Sequence, residues 1–260
     1  MQDILRTIVE ANAAELAAAK AARPCAEVRA AALDTPPPPS FTAALRATPF
    51  PAVIAELKCA SPSKGVIRAE LDCAALAAEL EGAGAAALSV LTEPHFFHGS
   101  LGNLRRARAA CGLPLLRKEF IVDEYQIAEA REAGASAVLL IAALLDDERL
   151  AALCQCAHGF GLAVLAEAHT EAELERVLKT DADAVGDNAR DLHTFRTSLD
   201  LSAALIRRIP AGRLRVAESA IASHEDLRAL RTAGADAFLI GETLMRAPSP
   251  GRKLRELRNG

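Results

Sequence analysis

Three times the chain repeats one junction: a polar helix end, an Ala-Gly pair, and then an unbroken apolar run. Glu81-Gly82-Ala83-Gly84 leads into residues 85–91, Arg131-Glu132-Ala133-Gly134 into 135–141, and Arg231-Thr232-Ala233-Gly234 into 235–240. Each glycine suits the left-handed position that ends a helix. The run that follows lacks the polar alternation of a half-exposed strand, so both of its faces must be covered. A parallel sheet buried beneath helices meets that requirement.

Counting similar runs places strand starts near Ala52, Ala87, Leu115, Ala137, Ala163, Ala184, Leu214 and Ala237. Amphipathic stretches fill the gaps, at 72–81, 101–110, 124–133, 146–157, 171–179, 202–208, 224–233 and 250–258. Eight strand–helix units in this length predict a (β/α)8 barrel, an α/β fold. An open doubly wound sheet is the runner-up, but no Gly-x-Gly-x-x-Gly follows the first strand. Residues 1–50 lie outside the repeat. They read as an N-terminal helical extension of the same domain, broken by the Pro36–Pro39 run and capping one end of the barrel.

Composition narrows the class. Of 260 residues 51% are hydrophobic and 25% charged, with a net charge of −4. That balance argues against a disordered chain, a coiled coil or a basic nucleic-acid binder. The longest apolar run, Ala137–Leu145, is too short for a bilayer, and the N-terminus lacks a signal-peptide layout. A cytoplasmic protein is expected, with no nucleic-acid or membrane partner. The six cysteines show no metal-ligand spacing, and Cys154-x-Cys156 falls on a proposed helix, so reduced core thiols are expected. With no Trp, one Tyr and eight Phe, the core must be built from Ala, Leu, Val and Ile.

Catalytic groups of such barrels sit where strands end. Glu56 and Lys58 leave the first strand on the same face as Ile54; Lys118 is in phase with Leu116, Glu167 with Leu165 and Glu218 with Val216. Two ammonium groups and three carboxylates thus aim at one mouth. Any one of them could be an ordinary polar strand end reaching water. Recurrence on four strands argues otherwise, because a desolvated charge is penalised by several kcal/mol unless paired or used. Only six of the thirty basic residues are lysines, and Lys58, Lys64 and Lys118 lie at or just after strand ends. A lysine gives up its proton when its pKa is lowered and an arginine does not, which makes Lys118 a candidate general acid.

Ser61-Pro62-Ser63-Lys64-Gly65 offers hydroxyls, amides and a cation directly after strand one. Ser219-Ala220 and Gly241-Glu242 occupy the two loops that often bind phosphate in such barrels, so a phosphorylated substrate is expected. Phe96, Phe97, Phe120, Tyr125 and Phe195 fall in proposed loops, where Phe97 and Phe120 suit the face of a planar ligand.

The stretches 55–65 (AELKCASPSKG), 91–100 (LTEPHFFHGS), 115–131 (LLRKEFIVDEYQIAEAR), 188–192 (NARDL) and 240–245 (IGETLM) resemble indole-3-glycerol phosphate synthases, in order and across nearly the whole chain. The resemblance implies a carboxy-lyase of tryptophan biosynthesis that needs no metal or cofactor. It closes the indole ring of 1-(2-carboxyphenylamino)-1-deoxyribulose 5-phosphate, releasing carbon dioxide and water. Carried over, Lys118 is the general acid of ring closure, while Glu167 and Lys58 serve the dehydration, in an order left open. Glu56, Asn188, Arg190 and Glu218 orient substrate and lysines. Ser61, Ser219, Ala220, Gly241 and Glu242 match the phosphate site and its surroundings. Phe97, Phe120, Leu139, Leu192 and Leu239 match the pocket for the anthranilate ring.

Two positions depart from the family pattern. Gly186-Asp187-Asn188 stands where an apolar residue normally separates Gly from Asn, and Glu218-Ser219-Ala220 where Glu-Ser-Gly is usual. These departures motivate one alternative, a non-catalytic or weakly active paralogue. A phosphoribosyl sugar isomerase on a related barrel is another, but it would leave the lysines without a task. A monomer or weak homo-oligomer is expected.

Overall fold

The computed structural model describes residues 2–188, 199–218 and 220–260. Eight parallel strands close a barrel: β1 (Ala52–Leu57), β2 (Ala87–Leu91), β3 (Leu115–Lys118), β4 (Ala137–Ile141), β5 (Ala163–Ala168), β6 (Ala184–Asp187), β7 (Leu214–Ala217) and β8 (Ala237–Ile240). Each pairs with the next, and β8 returns to β1 with Ile240 opposite Ala55. All eight begin where the apolar runs placed them, and the architecture is the expected (β/α)8 barrel.

Helices precede the barrel as α1 (Gln2–Ala22), α2 (Cys25–Asp34) and α3 (Phe41–Ala47). Around it run α4 (Cys73–Gly82), α5 (Leu101–Ala110), α6 (Glu124–Glu132), α7 (Asp147–Gly159), α8 (Glu171–Val177), α9 (Leu199–Arg208), α10 (His224–Ala233), α11 (Glu242–Met245) and α12 (Pro250–Asn259). Their starts have local causes. The side chains of Asp72, Ser100, Asp123, Asp146, Thr170 and Ser223 each accept a first-turn N–H that the helix itself cannot satisfy. Their ends are local too: Gly84, Gly134 and Gly234 have φ of +87°, +88° and +112°. No helix among the described residues is long and apolar enough to cross a membrane.

Alternation along the strands makes two cores. Val53, Ala55 and Leu57 point outward and pack against helices, whereas Ala52 and Ile54 point inward. The inner cluster is filled by Ile54, Leu116, Leu139, Leu165, Val216 and Leu239. Strand starts contribute the small side chains of Ala52, Ala87, Ala137, Ala184 and Ala237, and Phe41 and Leu45 of α3 join the cluster there.

The extension corrects an expectation. It does not cap one end only but runs past both. α3 closes the end where strands begin, α2 packs along the side against α6, and Ile4, Leu5 and Ile8 of α1 reach the opposite mouth. Tyr125 belongs to this anchoring. It sits buried on α6, not in a loop, and its hydroxyl donates to the carbonyls of Ala19 and Arg23.

Candidate active site

The strand ends open into a cavity of about 480 Å³ lined by Glu56, Lys58, Lys118, Glu167, Asn188 and Glu218. Period-two alternation brings them there. Glu56 is buried within β1, and Lys58, one residue past its end, donates to Glu56 Oε1 at 2.5 Å. Gly241 packs beside this pair, and a Cβ there would collide with the Glu56 carboxylate. The next residues form a short antiparallel ribbon, Ala60–Ser61 with Gly65–Val66, that presents Ser61 to the cavity. The Ser61 hydroxyl is buried without a hydrogen-bond partner among the described residues. Lys64 lies 3.9 Å from Glu242, which Arg246 also holds at 2.8 Å.

Lys118 is the centre of the charges. Its ammonium donates to Glu218 Oε2 at 2.8 Å and to Glu167 Oε2 at 3.3 Å. Glu167 Oε1 also accepts from Asn188 Nδ2 at 3.2 Å, and His169 Nε2 stands 3.2 Å from the same oxygen. Burial by itself would lower the Lys118 pKa, but Glu218, Glu167 and Glu56 outweigh it and hold the ammonium well above the ordinary lysine value. This reverses the lowered pKa expected of a candidate acid.

The two carboxylates beside it diverge. Burial would raise Glu167, yet Lys118, His169 and Asn188 keep it well below the usual carboxylate range. Burial pushes Glu218 up to about 8, with Lys118 opposing and Glu167 adding to the rise. Glu218 Oε1 is buried with no hydrogen-bond partner among the described residues, so its carboxyl has less to gain from ionising. Gly186 makes room for that oxygen, which a Cβ at 186 would strike.

Apolar side chains form the opposite wall. Phe97 and Phe120 meet with ring centroids 5.8 Å apart, and Leu139 and Leu239 project from β4 and β8. Both aromatic loops are fixed by buried carboxylates. Glu93 accepts the backbone N–H groups of His95, Phe96 and Phe97, while Glu119 accepts that of Phe120 and the Thr92 hydroxyl.

The candidates from strand ends therefore converge, with Ser61, Phe97, Phe120, Leu139, Ala220, Leu239, Gly241 and Glu242 around them. Arg190, Leu192, Phe195 and Ser219 lie outside the described residues. Ala220 has φ of +65°, a left-handed conformation that favours the glycine usual there. Asp187 points away from the cavity, as an outward strand position requires, and is 1% exposed. Neither of its oxygens has a well-formed hydrogen bond among the described residues; Ser202 lies near enough to oppose the shift, but burial pushes the carboxyl up to about 6.

His169 and the α1 residues were missed by sequence reasoning. The former lies past the strand end, though still in phase with Glu167, and that phase was the available signal. The α1 contacts are long-range and leave no local pattern.

Residues 5–257 match the family described as indole-3-glycerol phosphate synthase. Among similar proteins are indole-3-glycerol phosphate synthases from Dechloromonas aromatica, 48% identical, and Chromobacterium violaceum, 49% identical. Each alignment spans 99% of this chain, and 99% and 98% of the respective relative. Two solved structures share the fold. 3-Hexulose-6-phosphate synthase from Salmonella typhimurium has a TM-score of 0.63 at 12% identity, covering 80% of this chain and 96% of its own. Thiamine phosphate pyrophosphorylase from Pyrococcus furiosus has a TM-score of 0.59 at 16% identity, covering 80% and 94%.

Proposed function

We propose roles for the residues of this site on one premise: the chain belongs to the indole-3-glycerol phosphate synthase family. Its reaction joins an aromatic ring carbon to the ribulose carbonyl of 1-(2-carboxyphenylamino)-1-deoxyribulose 5-phosphate, then loses carbon dioxide and water, a step of tryptophan biosynthesis.

The carbonyl oxygen becomes an alkoxide as the ring closes, and Lys118 supplies the proton it takes up. The raised pKa of Lys118 does not prevent this, because an alkoxide is a stronger base than an amine. Carbon dioxide then leaves and restores the aromatic ring. For dehydration, Glu167 suits the base, since three donors keep it ionised. Lys58, an ammonium at the same mouth, suits the acid that protonates the departing hydroxyl. Glu56 holds Lys58, while Glu218 and Asn188 hold Lys118 and Glu167. Phe97, Phe120, Leu139 and Leu239 offer an apolar slot for the anthranilate ring. Ser61, Ala220 and Gly241, with Glu242, suit the phosphate, and the Ser61 hydroxyl, unpartnered among the described residues, is ready to meet an anion. Arg190, Leu192 and Ser219 keep the substrate-facing roles that the family likeness implies.

The observation that carries this reading is Lys118 held between Glu167 and Glu218 at the floor of a cavity with one aromatic wall. Purified protein incubated with the carboxyphenylamino-deoxyribulose phosphate should produce indole fluorescence. Silence at high enzyme concentration would favour the weakly active or non-catalytic reading that Ala220 and Asp187 motivate. The free cysteines suit the reducing cytoplasm, and a monomer or weak homo-oligomer is the form we assign.

A further inference from the structure

A row of titratable groups runs from the cavity wall into the first turn of α8, and only its first member has a role so far. His169 lines the cavity, is 9% exposed and faces two carboxylates. Its Nε2 is 3.2 Å from Glu167 Oε1, and its Nδ1 lies 3.4 Å from Glu173 Oε2, within ion-pair distance but without hydrogen-bond geometry. Glu173 is held in turn. Its Oε2 accepts the backbone N–H of His169 at 2.7 Å, and its own N–H donates to Thr170 Oγ1, the cap of α8.

A neutral imidazole does not fit this row. It has one N–H, and its other nitrogen would set a lone pair against a buried carboxylate. Only the imidazolium sets a positive charge within ion-pair distance of both carboxylates. We propose that His169 is a positioning residue for Glu167, an imidazolium clamped by Glu173 that orients the Glu167 carboxylate and gives it a cation that stays through turnover. The proposal rests on Glu167 acting as the base of dehydration.

That constant charge matters because the other cation beside Glu167 changes. Lys118 loses its proton when it serves the alkoxide. With a neutral amine alone beside it, a buried carboxylate would take up a proton and cease to be a base. Burial by itself would lower the His169 pKa, but Glu167 and Glu173 push it up to about 10, in keeping with this picture. The groups facing His169 are Glu167 from β5, Glu173 from α8 and, more remotely, Asp187 from β6; Lys118 from β3 lies beyond Glu167.

Two variants and one spectrum test it. Glu173→Gln keeps an acceptor for the backbone but removes the anchoring charge, so His169 should lose its proton nearer neutrality. The alkaline limb of the kcat profile should then move down, with KM changed less than about twofold. His169→Gln should lower kcat about tenfold, move the acid limb upward and leave KM nearly unchanged. Should either variant fold poorly, nitrogen-labelled histidine spectra of the wild-type enzyme still decide. The His169 ring should remain doubly protonated from about pH 6 to about pH 9. Titration near the ordinary histidine value, or pH profiles unmoved in both variants, would overturn the proposal. Glu167→Gln separates it from its premise: retained turnover there defeats the role of Glu167 itself, whereas lost turnover with unmoved profiles defeats only that of His169.

Discussion

Glu167 and Asp187 lie in the last two positions of neighbouring strands and are almost equally hidden, at 4% and 1% exposed. Glu167 faces the barrel interior and meets an ammonium, an imidazole and an amide. Asp187 faces the layer between sheet and helices, where the Ser202 side chain of α9 is the one nearby donor among the described residues and makes no well-formed hydrogen bond to it. One carboxyl is pushed far down and the other up to about 6. Burial opposes charge at both sites, so what separates them is the supply of donors. The same wall of the barrel makes a carboxylate useful on one side and a burden on the other.

The comparison breaks most sharply if the cation shared on the inner side is removed. Lys118→Ala should cut turnover by about 10²–10⁴-fold, the usual contribution of a general acid, as measured by steady-state indole fluorescence. Lys118→Arg should be nearly as damaging, because a guanidinium keeps the charge but does not release its proton. Either variant keeping more than about a tenth of the activity would remove Lys118 from the chemistry.

On the outer side the expected change has the opposite sign. Moving the Asp187 pKa from its ordinary 3.8 to about 6 corresponds to about 3 kcal/mol of lost stability at neutral pH. A carboxyl with a raised folded pKa contributes fully below about pH 4, and that contribution is lost as pH rises through about 6. Asp187→Ile should therefore stabilise the protein at pH 8 without reducing activity, and by clearly less at pH 5. Urea denaturation at the two pH values checks this, and an equal gain at both would mean that charge is not the cause.

The smallest effect concerns Ala220, whose φ of +65° places a β-carbon in a conformation that glycine adopts freely. Relief of about 1 kcal/mol of strain in Ala220→Gly should lower KM several-fold with a smaller change in kcat. An unchanged KM would show that the surrounding loop has absorbed the β-carbon.

Three strand positions were legible because an Ala-Gly junction marks where the preceding helix stops, and the other five because an apolar run recurs at the spacing of a strand–helix unit. Glu56, Lys118, Glu167 and Glu218 were legible because a charge in phase with inward leucines has one place to go. His169 escaped because the reading of β5 stopped at Glu167, although the same phase carries on to His169, one residue past the strand end at Ala168. Glu173 escaped for a related reason: in Thr170-x-x-Glu173 it reads as a helix-start residue, which is only part of what it does. Tyr125 was mistaken for a loop aromatic, since its partners Ala19 and Arg23 are a hundred positions away. The sign of the Lys118 shift was hidden too, because spacing reveals which charges converge but not whether two carboxylates outweigh desolvation.

The anchoring of α1 bears on the order in which the protein is built during synthesis. Lys20 pairs with Asp123, Arg23 with Glu132, and the Tyr125 hydroxyl bonds the carbonyls of Ala19 and Arg23, partners 102 to 109 positions apart. Residues 2–34 thus leave the ribosome long before anything they dock against exists, and closing such long loops is entropically slow. Until α6 has been translated and has packed, Ile4, Leu5 and Ile8 have no cavity to line. Residues 2–34 therefore wait on α6 for their anchors, and the cavity lacks the wall that Ile4, Leu5 and Ile8 supply until they dock.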